Sequence, residues 1–411
     1  MLKEVQNLPH NWEKVSIPDV LFFQEGPGVR KWQFTQEGVK LLNGGNINNN
    51  AINLDSTKIY ISEEEAQGKY SHFMIDPGDL VIACSGIVVN KFKYKIAVID
   101  QKHTPLCLNT STMRFKSLGD IDLKYYAYFL QTEYFSKQLQ RLITGSAQLN
   151  FGPSHIKKME VLLPPLEEQK KIATILDAAD EYRQKTKALI DKYDQLTQSL
   201  FLDMFGDPVT NPMVWDLVSL GNLCGVGSSK RVFVDELVEE GIPFYRGTEV
   251  GKLAEGLMIK PKLFITSTHY EKLKKEKPVP KIGDLLMPSI CPDGRIWIVN
   301  SNDPFYFKDG RVLWISIDSQ KINSLYLRYH LKSAFQYNYE NIASGTTFAE
   351  LKIVALKKLF IFYPELKLQN QFAHRVAQIE QQKQQAEASL VKAEELFNSL
   401  LQRAFKGELA Y

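Results

Sequence analysis

Apolar residues recur at helical spacing over one unusually long segment, residues 162–208. A Pro-Pro pair near its start and a Gly-Asp-Pro sequence at its end are typical of the first turn and the termination of a helix. A helix over the roughly 40 residues between them would be about 60 Å long, at 1.5 Å per residue. Two series with heptad spacing predict the seam that a partner helix would cover: Ile172, Ala179, Thr186, Tyr193 and Leu200, and Ile175, Tyr182, Leu189 and Leu196.

The same pattern returns 200 residues later without a gap. The sequence HIKKMEVLLP before the first helix corresponds to ALKKLFIFYP before a second one, at residues 366–411. Upstream, Trp12 matches Trp215, and Gly-Asp-Leu at 78–80 recurs at 283–285. The second helix keeps one apolar series, whereas the other predicted series is polar there: Phe372, Ile379, Ala386, Ala393 and Leu400 against Arg375, Gln382 and Ser389. The chain therefore reads as a duplicated unit in which a globular segment precedes a long helix.

Short runs of β-branched and aromatic residues predict strands in both globular segments, at 80–83, 87–89, 96–99, 113–115, 285–287, 296–299 and 313–317. Helical spacing appears at 122–143 and 323–342, with Asp122 and with Asn323 or Ser324 as N-caps. The predicted fold class is α+β: two mixed, strand-rich domains joined and separated by two long antiparallel coiled-coil helices, in a pseudo-two-fold internal repeat. The predicted boundaries are 1–161, 162–208, 209–365 and 366–411.

Composition sets the broad class of the protein. The chain is 44% hydrophobic and 24% charged, and its 411 residues suffice for two to three globular domains. The first residues have no apolar signal segment, and we find no run of 18 apolar residues, so we expect no membrane association and a cytoplasmic location. A net charge of +3 is too small to identify a partner. The cysteines form no CxxC pair, which argues against a zinc site or a disulfide framework: Cys84, Cys107, Cys224 and Cys291.

Motifs for catalysis and cofactor binding are missing. The chain has no GxxxxGK[ST] phosphate loop, no GxGxxG after a strand, and no pair of histidines at metal-ligand spacing. Asn211 and Pro212 are followed by Met213 rather than by the Pro-aromatic pair of an amino-methyltransferase motif. Pro292 and Asp293 fit a turn better than the start of a nuclease motif. We therefore expect no catalytic residue, no metal and no cofactor in this chain.

Polar loops remain as the candidates for function. Asn and Gln side chains can pair with adenine and Arg with guanine, while Lys and Ser contact phosphates. Each loop taken alone fits a solvated turn, but the loops differ between two copies of one framework, as expected for readers of different half-sites. The candidate DNA-binding residues are Arg30, Lys31, Asn43, Asn46, Ser85, Lys91, Lys93 and Gln148 in the first segment, and Lys230, Arg231, Arg246, Thr248, Arg295, Lys308, Arg311 and Thr347 in the second.

The helix junctions and the repeat together resemble a known family. LLPPLEEQKKIATIL at 162–176, LFLDMFGDP at 200–208 and the two-fold arrangement look like the specificity subunit of type I restriction–modification enzymes. The resemblance covers essentially the whole chain; it is specific in the helix regions and architectural in the globular ones. The second copy departs from the family's Pro-Pro-Leu pattern, with Tyr363-Pro364-Glu365-Leu366, although Gln369 is kept.

The resemblance implies a non-catalytic subunit with two target-recognition domains, each binding one half of a bipartite double-stranded DNA target. It also implies that the helices set the spacer between the half-sites and dock two modification subunits. S-adenosylmethionine would bind to those modification subunits. Restriction subunits would join the complex as further partners, and ATP and Mg²⁺ would bind to partner subunits rather than to this chain. Residues expected in helix packing or in docking are Ile172, Ile175, Tyr182, Leu189, Tyr193, Leu196, Leu200, Phe372, Ile379 and Leu400.

Two alternatives of other classes stay open. A stand-alone DNA-modifying enzyme with an unrecognised site would turn over DNA with S-adenosylmethionine or Mg²⁺ and no partner. A coiled-coil scaffold that binds only protein would not bind DNA even with a modification subunit present. No motif encodes the target sequence, the spacer length or the presence of a restriction subunit.

Overall fold

The computed structural model describes residues 8–143, 148–343 and 349–409. The chain divides into two compact units, which we call the first unit (Met1–Thr186 with Ala388–Tyr411) and the second unit (Lys187–Glu387). Each unit therefore contains one globular domain and one half of each long helix. The four-segment boundaries expected from the sequence stay a prediction.

The first unit begins with the strands and short helices of its globular domain and ends in the first long helix, which continues into the second unit. In chain order the elements are β1 (Glu13–Ser16), α1 (Ile17–Val20), β2 (Leu21–Glu25), β3 (Val39–Leu42), β4 (Ile47–Asn48), β5 (Ala51–Ile52), β6 (Tyr60–Ile61), α2 (Glu63–Gln67), β7 (Leu80–Ala83), β8 (Ile87–Val88), β9 (Ile96–Val98), β10 (Leu106–Leu108), β11 (Thr112–Ser117), α3 (Leu123–Phe129), α4 (Glu133–Leu142), β12 (Gln148–Leu149), α5 (Pro153–Ile156), β13 (Glu160–Leu163) and α6 (Leu166–Phe205).

The second globular domain follows the end of α6 and leads into the second long helix. Its elements are β14 (Leu217–Ser219), α7 (Leu220–Leu223), β15 (Gly225–Gly227), β16 (Ile242–Tyr245), α8 (Gly247–Ala254), β17 (Phe264–Ile265), α9 (Ser267–Glu276), β18 (Leu285–Pro288), β19 (Trp297–Ile298), β20 (Tyr306–Phe307), β21 (Val312–Ser316), α10 (Ser324–Ile342), α11 (Ile353–Lys358), β22 (Phe360–Phe362) and α12 (Leu366–Ala404).

The two domains share one sheet topology, as the sequence repeat predicts. An antiparallel sheet in the order β2-β11-β7-β9 recurs as β15-β21-β18-β19. A mixed sheet in the order β10-β3-β6, with one parallel and one antiparallel pair, recurs as β20-β16-β17. The first and last strands of each domain also pair, as β1 with β13 and as β14 with β22. The repeat is thus a repeat of the backbone framework.

Both predicted long helices are confirmed. α6 covers Leu166–Phe205 and α12 covers Leu366–Ala404. Gly206 and Gly407, with φ of 79° and 71°, lie just beyond their ends. A left-handed residue at this position is favourable for glycine because it has no Cβ to clash, which explains where each helix stops. Within the described residues, no helix is long and apolar enough to cross a membrane.

Three of the four residues in the second predicted series of the seam are wrong, whereas the fourth, Ile175, packs partly buried against the core. Ile172 and Thr186 are buried, but Tyr182, Leu189 and Leu196 are 54%, 42% and 50% exposed. The second inward-facing series lies four residues after each member of the first series, rather than three. Its buried members are Leu176, Arg183 and Thr197 in α6 and Val376 and Phe397 in α12, and its partly buried members are Ile190, Lys383 and Leu390. Arg183 and Thr197 are polar, so apolarity alone selected the neighbouring face.

The two helices run antiparallel within each unit. In the second unit the rings of Phe205 and Phe372 are 5.5 Å apart, and Lys383 donates to Asp194 at 2.6 Å. Later residues of α12 therefore contact earlier residues of α6, as expected for antiparallel helices. In the first unit the Arg183 guanidinium lies 4.2 Å from the ring centre of Phe397, so α6 and α12 also contact each other there.

A buried glutamine anchors the start of each long helix to its own domain. Gln169 accepts from the backbone N–H of Asp122 at 2.8 Å and donates to the carbonyls of Asp120 and Pro164 at 3.0 and 2.8 Å. Gln369 accepts from Asn323 N–H and donates to the Pro364 carbonyl, both at 2.9 Å. Both side chains are fully buried. The glutamine that the two copies share thus has a structural role, because it satisfies backbone groups that water cannot reach.

The predicted helices of the globular domains are also present, with one difference. Asp122 and Asn323 are the N-caps, as their side chains accept from backbone N–H groups. Residues 122–143 form two helices rather than one, because the chain turns after Phe129 and Thr132 caps α4 by accepting from Phe135 N–H. In the second domain α10 continues through the equivalent region and is kinked at Asn338 before it ends at Ile342.

Candidate nucleic-acid interface

Several polar loops of the first domain meet at one end of its sheets. The loop after β7 bonds to the loop before β11 through Cys84 N–H and the Ser111 carbonyl, at 2.9 Å. The turn after β3 joins them, since Gly44 N–H donates to the Ser111 hydroxyl at 3.0 Å. The Lys95 ammonium then bridges to the Gly44 carbonyl and to Asn48 Oδ1, at 3.1 and 2.7 Å. We call this set of loops the first loop cluster.

The second domain builds an equivalent set, the second loop cluster. Ser289 N–H donates to the Arg311 carbonyl at 2.9 Å, and Leu351 N–H donates to the Ser289 carbonyl at 2.7 Å. On the other side, Lys308 N–H donates to the Tyr245 carbonyl at 2.8 Å. The loops after β15, β16 and β18, before β21 and before α11 therefore lie together. These are the loops that the sequence predicts as functional in this domain.

One glycine at the same place in each cluster shows how closely the frameworks agree. A Cβ on Gly44 would lie 3.1 Å from Ala83 Cβ, and one on Gly247 would lie 3.4 Å from Pro288 Cβ. The turn after β3 packs so closely against the neighbouring strand that a side chain at Gly44 would require a small shift, whereas one at Gly247 would just reach van der Waals contact. The residue just before the glycine is Asn43 in the first domain and Arg246 in the second.

Five of the eight candidate residues of the first domain are exposed. Arg30, Lys31, Lys91 and Lys93 are exposed. Ser85 is exposed and donates to Asn150 Oδ1 at 2.9 Å. Gln148 lies in β12, opposite Val88, and its side chain is outside the described part of the chain.

Two asparagines of the first domain turn out to be structural. Asn46 is only 2% exposed; its Oδ1 accepts from Asn43 N–H at 2.9 Å and its amide donates to Asn53 O and Ser56 Oγ. This corrects the prediction that Asn46 contacts DNA, because a buried amide with three internal bonds is needed to hold the turn. Asn43 is also engaged, since its Oδ1 accepts from the Asn109 amide at 2.6 Å.

In the second domain most candidate cations are paired with carboxylates. Arg295 lies 2.7 Å from Asp293, Arg311 lies 3.2 Å from Glu350, and Lys230 pairs with Glu276. Lys308 lies 3.6 Å from Asp309. Arg231 is exposed and stacks over the ring of Phe233 at 5.1 Å. Thr248 is exposed, and Thr347 lies outside the described residues.

Arg246 has the most defined geometry of these pairs. Its Nε and Nη2 donate to the two oxygens of Glu249 at 3.1 and 2.7 Å. This hydrogen bonding raises the pKa of Arg246. Burial of Glu249 opposes ionisation, but the bonds from Arg246 outweigh it and lower the pKa of the carboxyl. The pair is therefore fully charged at neutral pH.

Two carboxylates of the second loop cluster, Glu249 and Glu350, are not among the residues predicted from the sequence. Glu249 positions Arg246, and Glu350 accepts from the Ser289 hydroxyl at 2.8 Å and from Lys352 at 2.7 Å as well as from Arg311. The bond from Lys352, with that from Ser289, lowers the pKa of Glu350. The spacing Arg-x-x-Glu at 246–249 was an available signal, since a glutamate three residues after an N-cap residue is a capping pattern.

The four cysteines are structural. Each is buried and unpaired, and burial raises the pKa of each thiol to about 12: Cys84, Cys107, Cys224 and Cys291. Nucleophilic cysteines need the opposite shift, because the thiolate is the reactive form. No group of three or more His, Cys, Asp or Glu residues gathers into a metal-binding arrangement in the part of the chain that the structure describes.

Comparisons with known proteins agree with this architecture. The family described as "Type I restriction modification DNA specificity domain" matches residues 9–192 and 212–392. The type I restriction enzyme MjaVIII specificity subunit of Methanocaldococcus jannaschii is 29% identical over 203 residues, which are 48% of this chain and 47% of that protein. The match thus spans about half the length of that relative.

Two further similarities cover more of the chain. The MjaIX specificity subunit of the same organism is 24% identical over 377 residues, 85% of this chain and 83% of the relative. The crystal structure of a type I restriction–modification S subunit from M. genitalium shares the fold, with a TM-score of 0.53, 18% identity and 97% of each chain covered. Because the family match covers both copies of the repeat, the chain belongs to the type I restriction–modification DNA specificity family.

Proposed function

We propose that this chain reads a bipartite double-stranded DNA target, with one half-site bound by each loop cluster. The observation that carries this proposal is that one backbone framework presents different polar side chains in its two copies. The position before the shared glycine is an exposed Arg246 in the second copy and an internally bonded Asn43 in the first. The residue just before β11 is Ser111, whereas the residue just before β21 is Arg311. A framework kept constant under changing contact residues suits two readers of different sequences.

We further propose that α6 and α12 set the spacer between the half-sites. Each domain is fixed to the start of a long helix by a buried glutamine, Gln169 or Gln369. The domain and the start of its helix are therefore rigidly attached to each other. Rigid linkage of two readers raises the effective concentration of the second once the first is bound, provided that the spacing fits.

The same helices offer sites for partner proteins. Leu196 in the second unit and Leu396 in the first are equivalent in the repeat and are 50% and 52% exposed. Two exposed leucines at equivalent places suit two copies of one partner, which we take to be the modification subunit. In this proposal S-adenosylmethionine, ATP and Mg²⁺ act in the modification and restriction subunits, and this chain contributes recognition and no catalytic residue.

The spacer is tested by lengthening the helices. Seven residues, two helical turns, are inserted at 184–191 of α6 and at the equivalent 384–391 of α12, and the variant is co-expressed with its modification subunit. Mapping the methylated adenines should show both half-sites unchanged and a different gap between them. An altered half-site with the original gap would contradict the role of the helices.

Docking is tested by the stoichiometry of the complex. Leu196→Glu and Leu396→Glu should each lose one modification subunit and together lose both, as measured by native mass spectrometry. Gln195→Glu, an exposed neighbour on another face of α6, is the matched control and should retain two. A full complex with both leucines replaced would exclude this surface.

A turnover assay separates the proposed function from a stand-alone enzyme. If the chain is a recognition subunit, the purified chain with DNA, S-adenosylmethionine and Mg²⁺ should produce neither methylation nor cleavage. Turnover by the chain alone would refute the proposed function. A protein-only scaffold is excluded if the complex with the modification subunit binds DNA and the binding weakens with salt.

A further inference from the structure

The guanidinium of Arg246 is held along one side edge. Nε and Nη2 both donate to Glu249, and Glu249 Oε2 also accepts from the backbone N–H of Arg246 at 3.0 Å. Only 14% of the Glu249 side chain is exposed, so the acceptor is itself fixed. A guanidinium gripped in this way loses little further conformational freedom when it binds a ligand, which favours affinity.

The other edge of the same guanidinium is available. Arg246 has 48% of its side chain exposed, and within the described residues no acceptor is bonded to Nη1. The Nη1–Nη2 edge therefore presents two parallel N–H donors to solvent. Such a fork matches the O6 and N7 acceptors of guanine in the major groove, and it also matches two oxygens of a phosphate.

Glu249 decides between these two ligands. A phosphate bound to the free edge would lie close to the carboxylate, and the two negative charges would repel each other. A guanine edge carries no net charge, so the carboxylate costs little there and still orients the donors. Arg311 lacks this arrangement, since it makes a single described contact with Glu350, at 3.2 Å, and 66% of its side chain is exposed.

The backbone that carries Arg246 is fixed as well. Tyr245, the preceding residue, accepts from Lys308 N–H at 2.8 Å, and the following Gly247 packs closely against Pro288. At the equivalent place in the first domain, Asn43 uses both ends of its amide internally, with Asn109 and with the Leu41 carbonyl. The position therefore offers a reading side chain only in the second domain.

We propose that Arg246 reads a guanine in the half-site of the second domain through its Nη1–Nη2 edge, and that Glu249 is the positioning residue for this contact. The inference rests on the proposed function, because it requires the second loop cluster to face DNA. It adds the base that is read, the residue that reads it and the residue that orients the reader.

The first test is the methylated motif of the chain co-expressed with its modification subunit. The half-site read by the second domain is the one whose sequence changes when that domain is mutated. In the wild-type motif this half-site should contain an invariant G·C pair. Arg246→Ala should make that pair degenerate while the other positions and the spacer stay the same. Lys274→Ala, which removes another i,i+3 ion pair of this domain, is the control and should leave the motif intact.

Arg246→Lys separates guanine from phosphate. Lysine keeps the charge but has no planar fork for Glu249 to orient, so a phosphate contact would survive in full, whereas the preference for guanine would fall to that of a single, unoriented donor group. We expect the preference of Arg246→Lys for G·C at this pair to lie between those of the wild type and Arg246→Ala, with overall binding retained. Glu249→Gln should weaken the preference for G·C at the same pair, with the melting temperature of the second unit unchanged.

A duplex with 7-deazaguanine at that pair gives a direct measurement. Wild-type complex should bind it about tenfold more weakly than the natural duplex, and the Arg246→Ala complex should not distinguish the two. Uniform loss of binding across sequences, with rescue by lysine, would overturn the guanine contact and leave DNA recognition by this chain intact. Failure of the wild-type complex to show any bipartite motif would instead refute the proposed function.

Discussion

The first and second domains share a framework but differ in how the cations near their loop clusters are paired. In the second domain most of the candidate cations are paired with carboxylates, as in Arg246 with Glu249 and Arg311 with Glu350, whereas Arg231 stacks on Phe233. In the described part of the first domain no carboxylate lies within ion-pair distance of the four candidate cations, Arg30, Lys31, Lys91 and Lys93. The two domains therefore show that strand order and turn geometry can stay the same while the polar and charged side chains on the loops differ.

The contrast suggests a division of labour between the two clusters. Unpaired cations attract phosphates over a distance and release counterions on binding, so they supply affinity that depends on salt. An arginine paired with a carboxylate contributes little net charge, but its N–H groups point in a fixed direction. Such a pair therefore suits the recognition of a base. In our proposal the first domain therefore contributes more to general attraction, and the second domain more to oriented readout at Arg246.

The largest expected effect tests whether the domains are anchored to their helices in the same way. Gln169→Leu should destabilise the first unit by about 2–4 kcal/mol, because it leaves buried backbone donors and acceptors unsatisfied. Gln369→Leu should have a smaller effect on the second unit, since it makes two of these bonds rather than three. Hydrogen exchange followed by mass spectrometry reports each unit separately.

The matched control for these anchors is Gln184→Leu. Gln184 is exposed on α6, so its replacement should change exchange rates little. If Gln369→Leu has no effect while Gln169→Leu does, the second helix is held by other contacts and the equivalence of the two anchors fails.

A smaller effect should follow from one buried histidine that only the second domain has. Four residues after the equivalent Tyr125 and Tyr326 stand Phe129 in the first domain and His330 in the second. Burial lowers the pKa of His330 to about 3. The unfolded chain therefore binds a proton near pH 6.5 that the folded unit does not, and the second unit should lose stability as pH falls below 6.5, by about 2 kcal/mol at pH 5.

Hydrogen exchange at pH 7 and pH 5 measures this difference between the units. His330→Phe, which installs the residue of the first domain, should abolish this contribution of the histidine to the pH dependence. It should also lower the stability at pH 7, because Phe362 N–H, which donates to His330 Nε2 at 3.1 Å, loses its acceptor. A histidine contribution of zero, with the wild type and His330→Phe showing the same change in stability between the two pH values, would show that folding does not lower the pKa of His330.

The smallest effect addresses the electrostatic contrast itself. Replacing Lys91 and Lys93 with Ala should reduce the slope of log affinity against log salt by about 1 to 2 for the complex on DNA. Replacing Lys230 and Arg311, which are paired with Glu276 and Glu350, should reduce it less. Equal reductions in the two double variants would show that DNA displaces the carboxylates and that the contrast disappears in the complex.

Much of the framework could be predicted from the sequence because it depends on local pattern. Heptad spacing, the Pro-Pro pair and the terminal glycine sufficed to predict α6, and the repeat extended the prediction to α12. Asp122 and Asn323 were recognisable as N-caps because a cap depends on neighbours three residues away. The family resemblance entered through the same helix junctions.

Tertiary structure alone decided which face of the helices is buried and which polar residues are free to bind. Positions three and four residues after Ile172 are both apolar, and burial of Arg183 on Phe397 and of Thr197 selects the later series. Asn46 looked like a contact residue until its amide was found inside the turn. The physical reason is the same in both cases: a polar side chain is internal when distant backbone or aromatic groups satisfy it, and the sequence does not show which distant groups those are.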